Sequence, residues 1–256
     1  MNVLAILSKE VKAYFASPIA YVVLAIFAVI NGYFFYSMMA VFHLISLQAT
    51  LGSGLGMPGL NPADGVFRPL FRNMSVLLLV VVPVITMRLF SEEKKSKTFE
   101  LLFSYPLRDL EVLLGKFLAA LLMYGAMLSV TLLYPAIVSA FITLPWGPIL
   151  SGYLGLLLLG MAYLAGGILI SSLTENQIVA AMGAFGVLLL FWAIGWSADW
   201  AGPVLGPILL HVSLIEHYEP FAKGVMDSKD AIYYLNFALF CFFLTLGVLD
   251  SKRWRG

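Results

Sequence analysis

Few side chains in this 256-residue sequence could do chemistry, and they fall in a handful of places. Glu92 and Glu93 stand side by side ahead of Lys94 and Lys95. Adjacent carboxylates can serve a membrane-embedded hydrolase, but such a site takes an arginine after three intervening residues and histidines on later apolar runs. Here the arginine position is Lys97, and the later apolar runs carry no histidine. His211, Glu216, His217 and Glu219 are residue types that ligate zinc or copper, yet their spacing fits no standard site, so no metal is expected. His43, alone at the end of an apolar run, reads as an interfacial polar residue. Gly115-Lys116 is half of a phosphate-binding loop, but Leu110 stands where the first glycine belongs and Phe117 where a hydroxyl belongs. No cofactor is expected in this chain, and any ATP, with its Mg, would have to be handled by another polypeptide. The one cysteine, Cys241, excludes an internal disulfide and sits in an apolar run as a small hydrophobe.

The elements that must position these groups are membrane helices. Hydrophobic residues make up 61% of the chain and charged ones only 11%, against about half and one quarter in ordinary soluble domains. Residues 117 to 174 contain no Asp, Glu, Lys, Arg or His, long enough for two crossings of about 20 residues joined by a turn. A net charge of +1 without a concentrated basic face gives no reason to expect nucleic acid. The first apolar run, from Ile19 to Val41, exceeds the length of a signal peptide's core and reads as a retained span.

Charge-free runs predict six spans, at about 19–42, 73–90, 117–142, 149–173, 177–197 and 231–249, in one domain covering residues 1–256. The second has a short charge-free core, because only 15 residues separate Arg72 from Arg88, and arginines that snorkel to the interface would close the gap. Pro83 and Pro135 predict kinks, and Ala162 with Gly166 predicts a close helix contact in the fourth span. Residues 2–15 place Val3, Leu4, Leu7, Val11, Tyr14 and Phe15 on one helical face, with Asn2, Lys9 and Lys12 on the other, which suits an interfacial helix in contact with lipid. Ser17 and Pro18 then cap and start the first span. With the N-terminus inside, lysine and arginine crowd the inner segments and only Arg68, Arg72, Lys223 and Lys229 lie outside. Both termini are thus expected in the cytoplasm. The segment 198–230 is too short and interrupted to cross, and reads as an outer re-entrant or surface helix.

One patch is unlike the rest: SEEKKSKTFELLFSYPLRDLEVLLGK, residues 91 to 116, where six of the first ten residues are charged. A charge run by itself is usually a solvated loop that fixes topology. Here it leads into Phe99, Leu101, Leu102 and Phe103 around Glu100, stops at Tyr105 and Pro106, and resumes an apolar pattern through Gly115 and Lys116. A short helix of this composition is suited to docking. The stretch resembles the loop between the second and third spans of ABC-2 type transporter permeases. Its likeness is carried by Glu92, Glu93, Lys94, Thr98, Glu100, Leu101, Leu102, Ser104, Pro106, Glu111, Gly115 and Lys116, with Lys97 where related chains often have glycine. The opening KEVKAYFASPIAYV, the turn SSLTENQIVAA and the closing HYEPFAKGVMDSKDAIYYLNFALFCFFLTLGVLDSKRW resemble the gliding-motility-associated branch of that family.

That resemblance implies an all-α integral membrane protein with six transmembrane helices in an ABC-2 (type V exporter-like) fold, placed in the inner membrane of a bacterial cell. It implies two partner ATPase subunits and a second permease, identical or related and possibly bearing a large extracytoplasmic domain, among membrane lipids. The ATPase contact would fall on Thr98, Phe99, Glu100, Leu101, Leu102, Phe103, Tyr105 and Pro106, with a second cytoplasmic contact at Thr174, Glu175 and Asn176. Polar residues inside the first and third spans, Asn31, Tyr33, Tyr36, Tyr124, Ser129 and Thr131, could line a pathway or serve as helix-to-helix glue. The alternative function is a membrane scaffold that assembles an envelope or gliding-type complex without moving a solute; an intramembrane enzyme fits less well.

Overall fold

The computed structural model describes residues 2–50, 61–96 and 108–253. The described residues are helical, without strands, and six helical segments are long and apolar enough to cross a membrane. An amphipathic helix α1 (Asn2–Ala16) precedes α2 (Pro18–Thr50). A π-helical turn at Ala63–Phe67 runs into α3 (Arg68–Thr86) and α4 (Arg88–Lys95). After 97–107, α5 (Asp109–Thr131) and α6 (Leu133–Ser139) form the third span, α7 (Trp146–Leu173) the fourth and α8 (Gln177–Ala193) the fifth. A 3₁₀ turn at Ile194–Trp200 leads to α9 (Gly202–Val212), then a single turn α10 (Glu219–Ala222) and the last span α11 (Ser228–Arg253).

The second and fourth spans form the interior. Two thirds (67%) of each apolar window is buried, against 17%, 22% and 28% in the first, fifth and sixth. Their neighbours approach closely because α7 offers glycines. A Cβ at Gly152 would overlap the Phe71 ring, one at Gly160 the Tyr124 ring, and one at Gly167 the Thr86 hydroxyl. The Ala162 and Gly166 pair is a looser contact. Ala162 is buried, and a Cβ at Gly166 would meet Leu188 at 3.1 Å.

The second span differs most from its sequence expectation. Its helical run extends from Ala63 to Lys95, well past both arginines. The reason is electrostatic, since its arginines are paired rather than left against lipid. Arg68 and Arg72 reach Glu219 at 3.6 and 3.7 Å, and Arg88 holds Glu92 at 2.8 Å. Lys94 donates to the Ser172 carbonyl.

Both expected interruptions occur near prolines. The helix breaks at Met87, four residues past Pro83, and at Leu132, three before Pro135. Pro135 has no N–H for the carbonyl of Thr131, and the Tyr153 hydroxyl donates to that oxygen instead, at 2.8 Å. At Met87 the repair comes from Ser171 of α7. Its Oγ donates to the Met87 carbonyl at 3.0 Å and accepts from the backbone N–H groups of Phe90 and Ser91 at 3.2 and 3.3 Å.

The segment around 198–230 does not cross. At about 1.5 Å per residue, the 11 residues of α9 span roughly 16 Å of a hydrocarbon layer near 30 Å. The 3₁₀ turn and α9 fold back on each other, with Gly202 at φ +78° in the bend and Gly206 over the Ala198 carbonyl. Trp196, Trp200, Val204 and Leu205 point outward from this hairpin.

Candidate functional site

The expected docking residues, Thr98 to Phe103 with Tyr105 and Pro106, lie outside the described residues. Their two flanks do not. α4 carries the chain into residues 97–107 and α5 receives it, and both are fastened to α1.

The fastening centres on Lys116. This lysine is 1% exposed, and its Nζ lies 2.9 Å from Glu10 Oε1 of α1 and 3.0 Å from Glu93 Oε1 of α4. Lys9 Nζ reaches Glu93 at 3.3 Å and Glu10 at 4.0 Å from the solvent side. The two lysines and two carboxylates balance in charge, as a buried ionic group requires. The Phe90 ring lies 5.3 Å from Lys116 Nζ, within cation–π range. Next to Lys116, a Cβ on Gly115 would stand 2.7 Å from Ile6 Cγ2 and 3.3 Å from the Val3 carbonyl, so α1 rests on the bare backbone of α5.

The loop pattern therefore has local physical meanings. Glu111 accepts from the Arg108 N–H at 3.1 Å and, with Asp109, places negative charge at the N-terminus of α5. Gly115 seats α1, and Lys116 neutralises the acids of α1 and α4. On the entering side, Glu92 chelates Arg88, which also donates to Ser17 Oγ at 3.2 Å. Glu93 joins the Lys116 cluster, and Lys94 caps the end of α7.

α1 keeps most of its expected face toward the bundle: Val3, Leu7, Val11 and Tyr14 are half-buried beside the buried Ile6 and the half-buried Glu10, whereas Leu4 and Phe15 are exposed. Tyr14 donates to the Ile85 carbonyl at 2.9 Å, beside the break at Met87. Burial, with Glu10 close by, pushes its phenol well above the ordinary tyrosine range. Ser17 begins α2 as expected, its Oγ accepting from the Ile19 N–H at 3.4 Å.

Thr174, Glu175 and Asn176 form the turn after α7, and Lys94 ties the end of that helix to α4. Asn176 Oδ1 caps α8 by accepting from Ile178 N at 2.9 Å, and Thr174 Oγ1 accepts from Asn176 N at 3.2 Å. Glu175 is exposed. The expected second contact thus lies at the same end of the bundle as α4.

The polar residues of the first and third spans do not share one passage. Asn31 is buried, its Nδ2 donating to the Phe27 carbonyl at 2.8 Å. Tyr124 is buried and donates to the Leu156 carbonyl at 2.6 Å. Thr131 and Ser129 bond back to Leu128 and Ala126 of their own helix. Tyr33 and Tyr36 face outward from α2, at 68% and 73% exposure.

Two members of the site were missed in the sequence. Glu10 is the only acid before Asp64, a weak signal of pairing in an otherwise basic helix. Ser171 opens the SSLTENQIVAA turn, but nothing marked it as a partner for α4, since serines in apolar helices usually bond to their own backbone.

At the opposite end, two of the residues considered as metal ligands are otherwise engaged, while His211 and Glu216 are exposed. Glu219 binds Arg68 and Arg72, and His217 binds Asp230 at 2.7 Å. Among the described residues no group of three His, Cys, Asp or Glu side chains is arranged to hold an ion.

Six apolar spans, with an amphipathic helix clamped across the second and third, define a multi-pass membrane protein. The model of the ABC-2 family transporter protein matches residues 56–197, more than half the chain, and the protein belongs to that family. Among curated proteins none matches it.

Proposed function

We propose that this protein is one permease of an exporter whose ATP is bound and hydrolysed by two separate cytoplasmic ATPase subunits, with a second permease, identical or related, completing the pathway. The orientation that serves this reading puts residues 91–116 and both termini in the cytoplasm of a cell whose inner membrane holds the complex. Family membership supports the permease role, and the observation that carries the coupling is the Lys116 clamp. A loop that only had to stay in solvent would have no need of a buried lysine, two carboxylates and a glycine seat at its feet. A loop that must deliver force does need rigid footings. In this mechanism, closure of the ATPases presses on Glu100, Leu101, Leu102 and Phe103, and the push enters the second and third spans through α4 and α5 while α1 keeps them in register. Moving a two-state pathway from 1:99 to 99:1 requires nucleotide to favour one state by about 5.5 kcal/mol, and the loop has to carry that preference. The exposed Tyr33 and Tyr36 then suit a pathway between two permeases better than one inside a single chain.

The test is co-reconstitution with the ATPase encoded beside the permease. Glu100→Ala and Leu102→Asp are expected to insert normally and to lose permease-stimulated ATP turnover. Full turnover in both would sink the coupling role, and failure of the permease to bind any ATPase would sink the exporter reading.

A further inference from the structure

The far end of the bundle carries a polar cluster that the coupling reading does not use. His217 lies in the turn between α9 and α10, and each of its ring nitrogens faces an acceptor. Nδ1 is 2.7 Å from Asp230 Oδ1 and Nε2 is 3.0 Å from the backbone carbonyl of His211. Its ring stacks on Tyr233 with centroids 3.8 Å apart. Asp230, in the first turn of α11, is 2% exposed, and its other oxygen, Oδ2, is buried without a hydrogen-bond partner. One imidazole therefore joins the end of α9, the following turn and the start of α11.

A neutral imidazole has a single N–H and cannot donate to a carboxylate and a carbonyl at once. The two contacts coexist only when the His217–Asp230 pair holds an additional proton, either as imidazolium beside carboxylate or as imidazole beside carboxylic acid. Loss of that proton sets a lone pair against one acceptor and leaves Asp230 as a buried anion without a compensating cation on its ring partner. Separation of the two groups, with entry of water, relieves both.

We propose that His217 and Asp230 form a proton-operated latch: protonated, it holds the outer hairpin of the 3₁₀ turn and α9 against the start of the last span, and proton loss releases it. The closed form retains a proton that the open form gives up, so rising pH favours opening. The other titratable groups around it do not take its place. From α9, the exposed His211 presents its ring edge at 5.4 Å. From the turn, Glu216 is exposed and Tyr218 is buried, its phenol pushed up by that burial. From α11, Lys229 is engaged with Asp227 at 3.0 Å, while Tyr233 and Tyr234 donate to the carbonyls of Val212 and Leu214. The proposal stands on this cluster alone and does not depend on the exporter reading.

The experiment is a distance measurement between spin labels at Leu205→Cys on α9 and Leu239→Cys on α11, both exposed, in a Cys241→Ala background of the full chain in nanodiscs. It is made at roughly pH 5 and pH 8, the ends of the range in which an imidazole ordinarily changes charge. The parent pair is expected to give one short distance at the acid end and an added longer population at the alkaline end. Asp230→Asn is expected to stay closed at both, because an amide N–H can donate to Nδ1 of neutral His217 while Nε2–H keeps its bond to His211. His211→Gln is expected to follow the parent. A parent distance that ignores pH, an Asp230→Asn variant that opens as the parent does, or loss of the response in His211→Gln would each overturn the latch.

Discussion

Lys116 shows how much one buried charge can organise. An ammonium at 1% exposure has lost most of its hydration, and only the two carboxylates at 2.9 and 3.0 Å make its burial tolerable. Removing the lysine alone leaves Glu10 and Glu93 with only the exposed Lys9 to offset their charges. Lys116→Met should therefore destabilise the protein by about 3–5 kcal/mol, the usual cost of breaking a buried ion pair from one side. The triple change Lys116→Met, Glu10→Gln and Glu93→Gln should recover most of that loss. Thermal unfolding followed by size-exclusion chromatography checks both, and a triple variant no better than the single one would show that the cluster is not a balanced unit. The sequence singled out Lys116, Glu92 and Glu93 as members of a recurring loop pattern, but it could not name their partners. Glu10 is 106 residues from Lys116, and nothing local in a basic amphipathic helix marks its one acid as a partner for a distant lysine.

Among the elements, α1 depends on a missing side chain. Ile6 occupies the space that a Cβ at position 115 would need, at 2.7 Å. Gly115→Ala should lift α1 from α5 and cost about 1–3 kcal/mol, as overpacking does, with weakening of the Lys116 contacts as a consequence. Ile6→Ala in the same chain should restore the fit, seen as recovered protection of α1 from limited proteolysis; equal protection in wild type and Gly115→Ala would count against the seat. Helix existence was legible here because long charge-free runs leave no alternative in a bilayer. Helix ends were less so. Arg72 and Arg88 bounded the second span on paper, yet Glu219 and Glu92 neutralise them and the helix runs on to Lys95. The face drawn for α1 agrees with burial at Val3, Leu7, Val11 and Tyr14 but leaves out Ile6 and Glu10, the latter because periodicity counts an acid as polar and therefore outward. Ser171, which stitches the break at Met87, belongs to a different span from the residues it serves.

Across the whole molecule, burial is lopsided. The second and fourth spans fill the interior while the first, fifth and sixth keep most of their apolar surface uncovered, available to lipid and to a second permease. Orientation decides whether the clamp faces the ATPases. In a Cys241→Ala background, Lys97→Cys should react with an impermeant maleimide only from the cytoplasmic side, and Lys223→Cys only from the other. The reverse pattern would put the loop on the wrong face for coupling. The six-span plan was readable from composition and charge, because the bilayer imposes it, whereas the pairing of charges across spans depends on packing that no linear pattern encodes. If the loop does receive a push, the shared attachment of its two feet to α1 makes it a yoke. The second and third spans cannot be drawn apart by a pull on the loop while Lys116 bridges Glu10 and Glu93, so they travel as a pair and any parting of helices must open along some other seam.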